Sequence, residues 1–257
     1  MGKIFAVVSQ KGGTGKTTTT GALAAAFAER AAEERQKRPT LVVDFDPQAG
    51  LTVSLGFDPD KFEQTIYHAL IEEVELSRVV VQTKIDGVDL APANLDLAGA
   101  EAELIGQIAW DRTLKDTLAT VAARYDLIFI DCPPTLGVLT TNALVAAQVA
   151  IVPLQCEFLA LRALKQLEKV IATVRKKANP SLDVRLLRTM YDRRTLHAQE
   201  VVEEIDRVGG DQVFRAIINR TVKFADATVA GEPILVYAKD SEAAQAYREL
   251  AKEVSLL

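Results

Sequence analysis

The sequence predicts an α/β fold, a mostly parallel, twisted central sheet flanked by helices on both faces. Short β-branched runs alternate with longer helical patterns along the chain, the order that a parallel sheet with crossover helices requires. "KIFAVVS", "YDLIFIDCPP" and "VAIVPLQ" are apolar runs too short for helices, as strands buried on both faces are. A glycine-rich turn and several acids stand at the ends of these runs, at the edge where open α/β sheets take their ligands.

The elements follow in order. "KIFAVVS" is the first strand, the glycines at 12, 13 and 15 form a tight turn, and the Ala-rich "KTTTTGALAAAFAERAAEERQ" is a helix. "TLVVDFD" is a second strand ending on acids. Residues 61–74, "KFEQTIYHALIEEV", place Ile66, Leu70, Ile71 and Val74 on one helical face, and "VDLAPA" is another short strand; the pattern between them is mixed. "YDLIFIDCPP" and "VAIVPLQ" belong at the sheet centre. A helix from about Leu161 to Lys177 buries Leu164, Leu167, Ile171 and Val174 before "NPS" ends it. "VRLLRTM" and "VFRAII" complete the strands, with a helix near 196–207 between them and a last helix near 241–254. No repeat, low-complexity tract or flexible linker interrupts this order, so residues 1–257 read as one domain.

Composition narrows the function. Hydrophobic residues are 49% and charged residues 25% of the chain, the balance of a folded soluble protein. A formal charge of -5 argues against chain-wide attraction to nucleic acid and leaves room for a local basic patch. Cys132 and Cys156 lack paired CxxC spacing and read as buried free thiols; His68 and His197 stand alone, and Trp110 reads as a packing residue. "MGKIFAVVSQ" has no export-signal pattern, and the longest apolar stretches are interrupted by Asn, Gln and Pro, so a cytoplasmic location and no membrane partner are expected.

"KGGTGKT" carries the chemistry. Against the pattern G-x-x-x-x-G-K-[ST] the first glycine is missing, because the residue five places before Gly15 is Gln10. Strand, glycine turn and helix nevertheless remain in sequence, so backbone N–H groups can converge on phosphate at a helix start. Lys16 then serves the β- and γ-phosphates and the Thr17 hydroxyl a Mg²⁺ ion. Asp131 closes "LIFID" where an acid can hold the water shell of that ion, and Asp44 and Asp46 stand at the end of the second strand in "VVDFDPQ".

"KGGTGKTTT", "DFDPQ" and "YDLIFIDCPP", in that order and spacing, resemble the deviant Walker A P-loop ATPases and, within them, the ParA/Soj partition group. The resemblance runs on through "LAPANLDLAGAEAEL", "FLALRALKQL", "TMYDRRTLHAQEVVEEI" and "AYRELAKEV". It implies ATP and Mg²⁺ bound by Lys11, Gly12, Gly13, Thr14, Gly15, Lys16, Thr17 and Thr18, with Thr17, Asp44 and Asp131 on the metal side. Lys11, Lys16 and Asp46 are the implied catalytic residues: Lys11 reaches the partner's nucleotide across an ATP-dependent sandwich homodimer, Gly12 permits the close approach, and Asp46 positions the attacking water.

The resemblance also implies nonspecific DNA binding by Arg194, Arg220 and Lys223, nucleoid association in the ATP state, and a ParB-like or other cargo adaptor that stimulates hydrolysis. Plasmid or chromosomal DNA is the expected cargo; a protein assembly such as a microcompartment or chemoreceptor cluster is the alternative. A MinD-like membrane cycle would need an amphipathic C-terminal anchor, whereas "AYRELAKEVSLL" reads as a packed helix. An iron–sulfur member would need cysteines facing a dimer axis. Three departures stand out: Ala49 and Gly50 where many relatives have Gly-Asn, Asn219 where they have proline, and "ADATVAGEPI" for "EAPSFGKPI".

Overall fold

The computed structural model describes residues 2–157 and 160–257. Eight strands form one sheet: β1 (Lys3–Val7), β2 (Thr40–Asp44), β3 (Val81–Gln82), β4 (Val88–Ala91), β5 (Leu127–Asp131), β6 (Val149–Gln155), β7 (Asp183–Tyr191) and β8 (Val213–Asn219). Their order is β3-β4-β2-β5-β1-β6-β7-β8, parallel except for the two-residue β3, which pairs antiparallel with β4.

Alternation along the central strands builds two cores. Ile4, Ala6 and Val8 of the first strand and its continuation pack on one face, and Phe5 and Val7 pack on the other. The register Phe5↔Phe129 stacks two rings at 5.0 Å, and Phe27 from the Lys16–Glu33 helix joins Phe129 at 5.9 Å. Each fully buried phenylalanine stabilises the fold by roughly 1.5–3 kcal/mol. The Ala160–Lys177 helix buries Leu164, Leu167, Ile171 and Val174 as its period predicts. The Glu242–Val254 helix buries Ala243, Ala244, Tyr247, Leu250, Ala251 and Val254, and the Tyr247 hydroxyl meets Thr19 Oγ1 at 3.1 Å. Its apolar face is therefore spent on the protein's own core. No helix among the described residues is long and apolar enough to cross a membrane.

Several boundaries differ from expectation. The first helix stops at Glu33 rather than residue 36, where Arg35 turns left-handed at φ 52°. The helix expected over 61–74 spans only Ile66–Ile71: Thr65 caps its start while His68 Nδ1 accepts from the Thr65 N–H at 3.1 Å, and Glu73 at φ 54° ends it. The strand expected through Asp46 ends at Asp44, so Asp46 lies beyond the sheet and is not placed by its pleat. Helices Leu97–Ile105, Thr113–Ala119, Val138–Ala146 and Lys223–Ala230 form in stretches that the sequence reading left unassigned. Residues 158 and 159 of "FLALRALKQL" lie outside the described residues.

Candidate nucleotide site and its basic neighbour

Parallel register brings the candidate residues together. Val7 pairs with Asp131 on one side and Ile151 on the other, and Asp44 pairs with Asp131, so the glycine loop leaves β1 between the ends of β5 and β6. Gly13 at φ 72° and Gly15 at φ 89° adopt backbone that side chains resist, which lets the loop curl into the start of the Lys16–Glu33 helix. The loop is fastened from the next two strands. Gln155 Nε2 donates to Gly13 O at 2.8 Å, and Thr189 Oγ1 donates to Thr14 O at 2.8 Å.

Lys16 is buried, its Nζ 3.4 Å from Lys11 O; desolvation lowers its pKa, opposed chiefly by the Asp131 charge. Thr17 Oγ1 donates to Asp131 Oδ2 at 2.6 Å, while Asp131 Oδ1 is buried without a hydrogen-bond partner among the described residues. Burial, then the Asp44 charge, pushes the Asp131 carboxyl well above its ordinary range. Asp44 is also fully buried; desolvation raises it to about 6 despite bonds from Thr52 N at 2.8 Å and Thr52 Oγ1 at 2.7 Å. Two adjacent buried carboxyls, of which Asp131 both touches the loop threonine and leaves its other oxygen orphaned, fit a divalent cation.

Asp46 lies beyond the strand, half-buried, its Oδ1 accepting from Gln48 N at 3.0 Å, and its charge acts on both Lys16 and Asp131. Ala49 takes φ 52° to begin the Gly50–Ser54 helix behind it. Thr18 is half-buried at the helix start, beside a cavity of about 250 Å³ that Gly21, Gly50, Phe224, Thr228 and Pro233 also line. A larger cavity of about 530 Å³ lies near Lys37, Arg38 and Ile85, away from these strand ends. Size alone would misplace the site; the carboxyls and the loop locate it.

Gly12 is exposed, and a Cβ there would meet nothing within 4 Å among the described residues. Lys11 is held within its own chain: its Nζ donates to Gln155 Oε1 and pairs with Glu157 Oε2 at 2.6 Å. Gln155, Glu157, Thr189 and Thr52 were not singled out from the sequence, although the first two stand at the end of a recognised strand. Cys132 and Cys156 are buried free thiols, and burial pushes Cys156 up to about 12.

The basic candidates meet at the same edge of the sheet. Tyr191↔Asn219 is a register pair, Arg220 N donates to Tyr191 O at 2.9 Å, and the exposed Lys223 begins the helix that follows. Arg194 is 84% exposed and forks onto Asp192, with Nε–Oδ1 at 2.9 Å and Nη2–Oδ2 at 2.7 Å.

Comparison with known proteins agrees with this arrangement. The AAA domain family model AAA_31 matches residues 2–184. The sporulation initiation inhibitor protein Soj of Bacillus subtilis is 40% identical over 256 residues, covering 99% of each chain. The chromosome partitioning protein ParA of Myxococcus xanthus is 41% identical over 255 residues, 99% of this chain and 88% of that protein. The crystal structure of cobyrinic acid a,c-diamide synthase from Mycobacterium smegmatis with bound ATP analog and magnesium superposes with a TM-score of 0.86 at 40% identity, covering 99% of this chain and 95% of that one. With the loop, the strand-end acids and these relatives in agreement, the chain belongs to the AAA_31 family, the ParA/MinD-type P-loop ATPases.

Proposed function

We propose that this protein is a Mg²⁺-dependent ATPase that forms an ATP-dependent homodimer, binds DNA without sequence preference, and partitions plasmid or chromosomal DNA with a ParB-like adaptor. The observation that carries the ATPase reading is the Thr17–Asp131 contact beside Asp44, with Asp131 Oδ1 left free under the glycine loop. Mg²⁺, when bound by Thr17 and the two acids, supplies charge neutralisation to the phosphates. Lys16 and the loop N–H groups orient the triphosphate, and Asp46 holds the attacking water. Lys11 leaves Glu157 to reach the ATP of the second copy, where a cation in trans stabilises phosphate charge only while two subunits are joined.

The relatives' names point in different directions, one to amide synthesis and two to sporulation control and chromosome partitioning. The exposed basic cluster of Arg193, Arg194, Arg220 and Lys223 favours partitioning, because phosphate-directed cations at one edge suit sequence-independent DNA. A single domain of 257 residues, in the cytoplasm and nucleoid-associated in the ATP state, completes the reading. DNA retention is measured with ADP, ATP and a slow ATP analogue across salt, alongside turnover by Asp46→Ala. Retention with the triphosphates alone, steeply salt-sensitive and persisting in Asp46→Ala without turnover, is expected; retention independent of nucleotide, or none, rejects the cycle.

A further inference from the structure

Arg194, one of the cations proposed for DNA, is already occupied by a carboxylate of the same loop. Asp192 is pinned: its Oδ1 accepts the Arg194 N–H at 3.1 Å, and its carbonyl takes both the N–H and the hydroxyl of Thr195, at 3.1 Å each. Thr195 in turn caps the Leu196–Gly209 helix. The Arg194 side chain, by contrast, is anchored among the described residues by its fork on that carboxylate alone and stands 84% exposed, against 25% for Asp192. The guanidinium can swing away, and the acid cannot follow. The neighbouring cations also act on this one group, because the Arg220 charge adds to that of Arg194 in stabilising the ionised Asp192. Arg193 is exposed and pairs with no carboxylate among the described residues.

The turn itself does not call for a charge. An amide oxygen at position 192 would accept the Arg194 N–H equally well, and the Thr195 contacts use the backbone carbonyl. What the second carboxylate oxygen adds is the two-pronged hold on the guanidinium, the geometry that a DNA phosphate would also offer. Resting on the DNA-binding reading above, we propose that Asp192 is an internal competitor for phosphate: it occupies Arg194 in the DNA-free protein and must be exchanged for a backbone phosphate on binding, which weakens DNA retention.

The strength of an exposed ion pair sets the scale, roughly two- to fivefold in affinity. DNA retention by the full chain with a slow ATP analogue is measured between about 50 and 200 mM salt for wild type, Asp192→Asn, Arg194→Ala and the double variant, with analogue binding as the folding control. Asp192→Ser, which keeps one acceptor for the Arg194 N–H, serves if the asparagine variant does not fold. Asp192→Asn is expected to bind DNA about two- to fivefold more tightly, with the log–log salt slope steeper by up to about one. That gain should vanish in the Arg194→Ala background. Unchanged or weaker retention by Asp192→Asn overturns the competitor, and so does a gain that persists without Arg194. Loss of retention by all four chains overturns the DNA reading itself, an outcome separable from failure of the competitor because wild type then fails as well.

Discussion

Raising the pH from about 4 to about 7 should cost the nucleotide-free protein stability, and Asp44 should account for much of the cost. Its carboxyl moves from an ordinary value of 3.8 to about 6, burial being the first cause and the bonds from Thr52 opposing it. A carboxyl with a raised folded pKa binds its proton more tightly in the folded chain than in the unfolded one. Folding is therefore favoured while the proton is on, and that advantage is lost as the pH rises from about 4 through about 6. At about 1.4 kcal/mol per pH unit the loss is of the order of 3 kcal/mol. Asp131, raised by burial and by Asp44, adds a change of the same sign. Asp192, held low by Arg194, has the opposite sign, but its contribution is present above the ordinary carboxylate range and is lost only below it, outside this window. Urea midpoints across pH should therefore fall for wild type and fall less steeply for Asp44→Asn, which keeps an acceptor for Thr52 and does not titrate, the remaining fall being that of Asp131. The slopes carry the comparison, because the amide loses its match to the Asp46 N–H and shifts absolute stability. Parallel curves, or a wild type that gains stability over this range, would refute the reasoning.

Three other outcomes are expected. Glu73→Gly should stabilise the chain by about 1 kcal/mol, since an exposed side chain is held at φ 54°, and an unmoved urea midpoint would count against strain there. Gly231→Ala should destabilise by about 2 kcal/mol or more, because its Cβ would lie 2.7 Å from Gly56 Cα at φ 67°; a shift under about 0.5 kcal/mol would show that the two segments yield freely. Glu157→Gln should tighten the ATP-dependent dimer by about two- to fivefold, the worth of an exposed pair released from Lys11. Sedimentation with a slow ATP analogue reads the effect, and a weaker dimer would mean that Glu157 helps Lys11 rather than restrains it.

The fold and the phosphate loop were legible because their signals are local. Apolar runs mark β1, β5 and β6, and Gly13, Gly15, Lys16 and Thr17 follow one another in the chain. Boundaries were less so where a single residue decides them: Thr65 starts a helix five residues late, and Arg35 stops another three residues early. The helix Val138–Ala146 is buried nearly all round, so it shows no one-sided period to read.

The residues that hold the site escaped for a different reason. Lys11 and Gln155 are 144 residues apart, the same offset as the register pair Val7↔Ile151, and each stands four residues beyond that pair. Gln155↔Thr189 continues the row into β7, and Asp44↔Asp131 and Val7↔Asp131 extend it the other way. Read across the strand ends, the site is one line: Asp44, Asp131, the loop after Val7, Gln155 and Thr189. The Asp192–Arg194 pair lies three to five residues beyond its last member. A linear motif records only partners that are close in sequence, whereas this line depends on the register between parallel strands, which the crossover helices set. Given the strand order and one register pair each for β1–β6 and β6–β7, Gln155 and Thr189 fall in line with the loop that follows Val7.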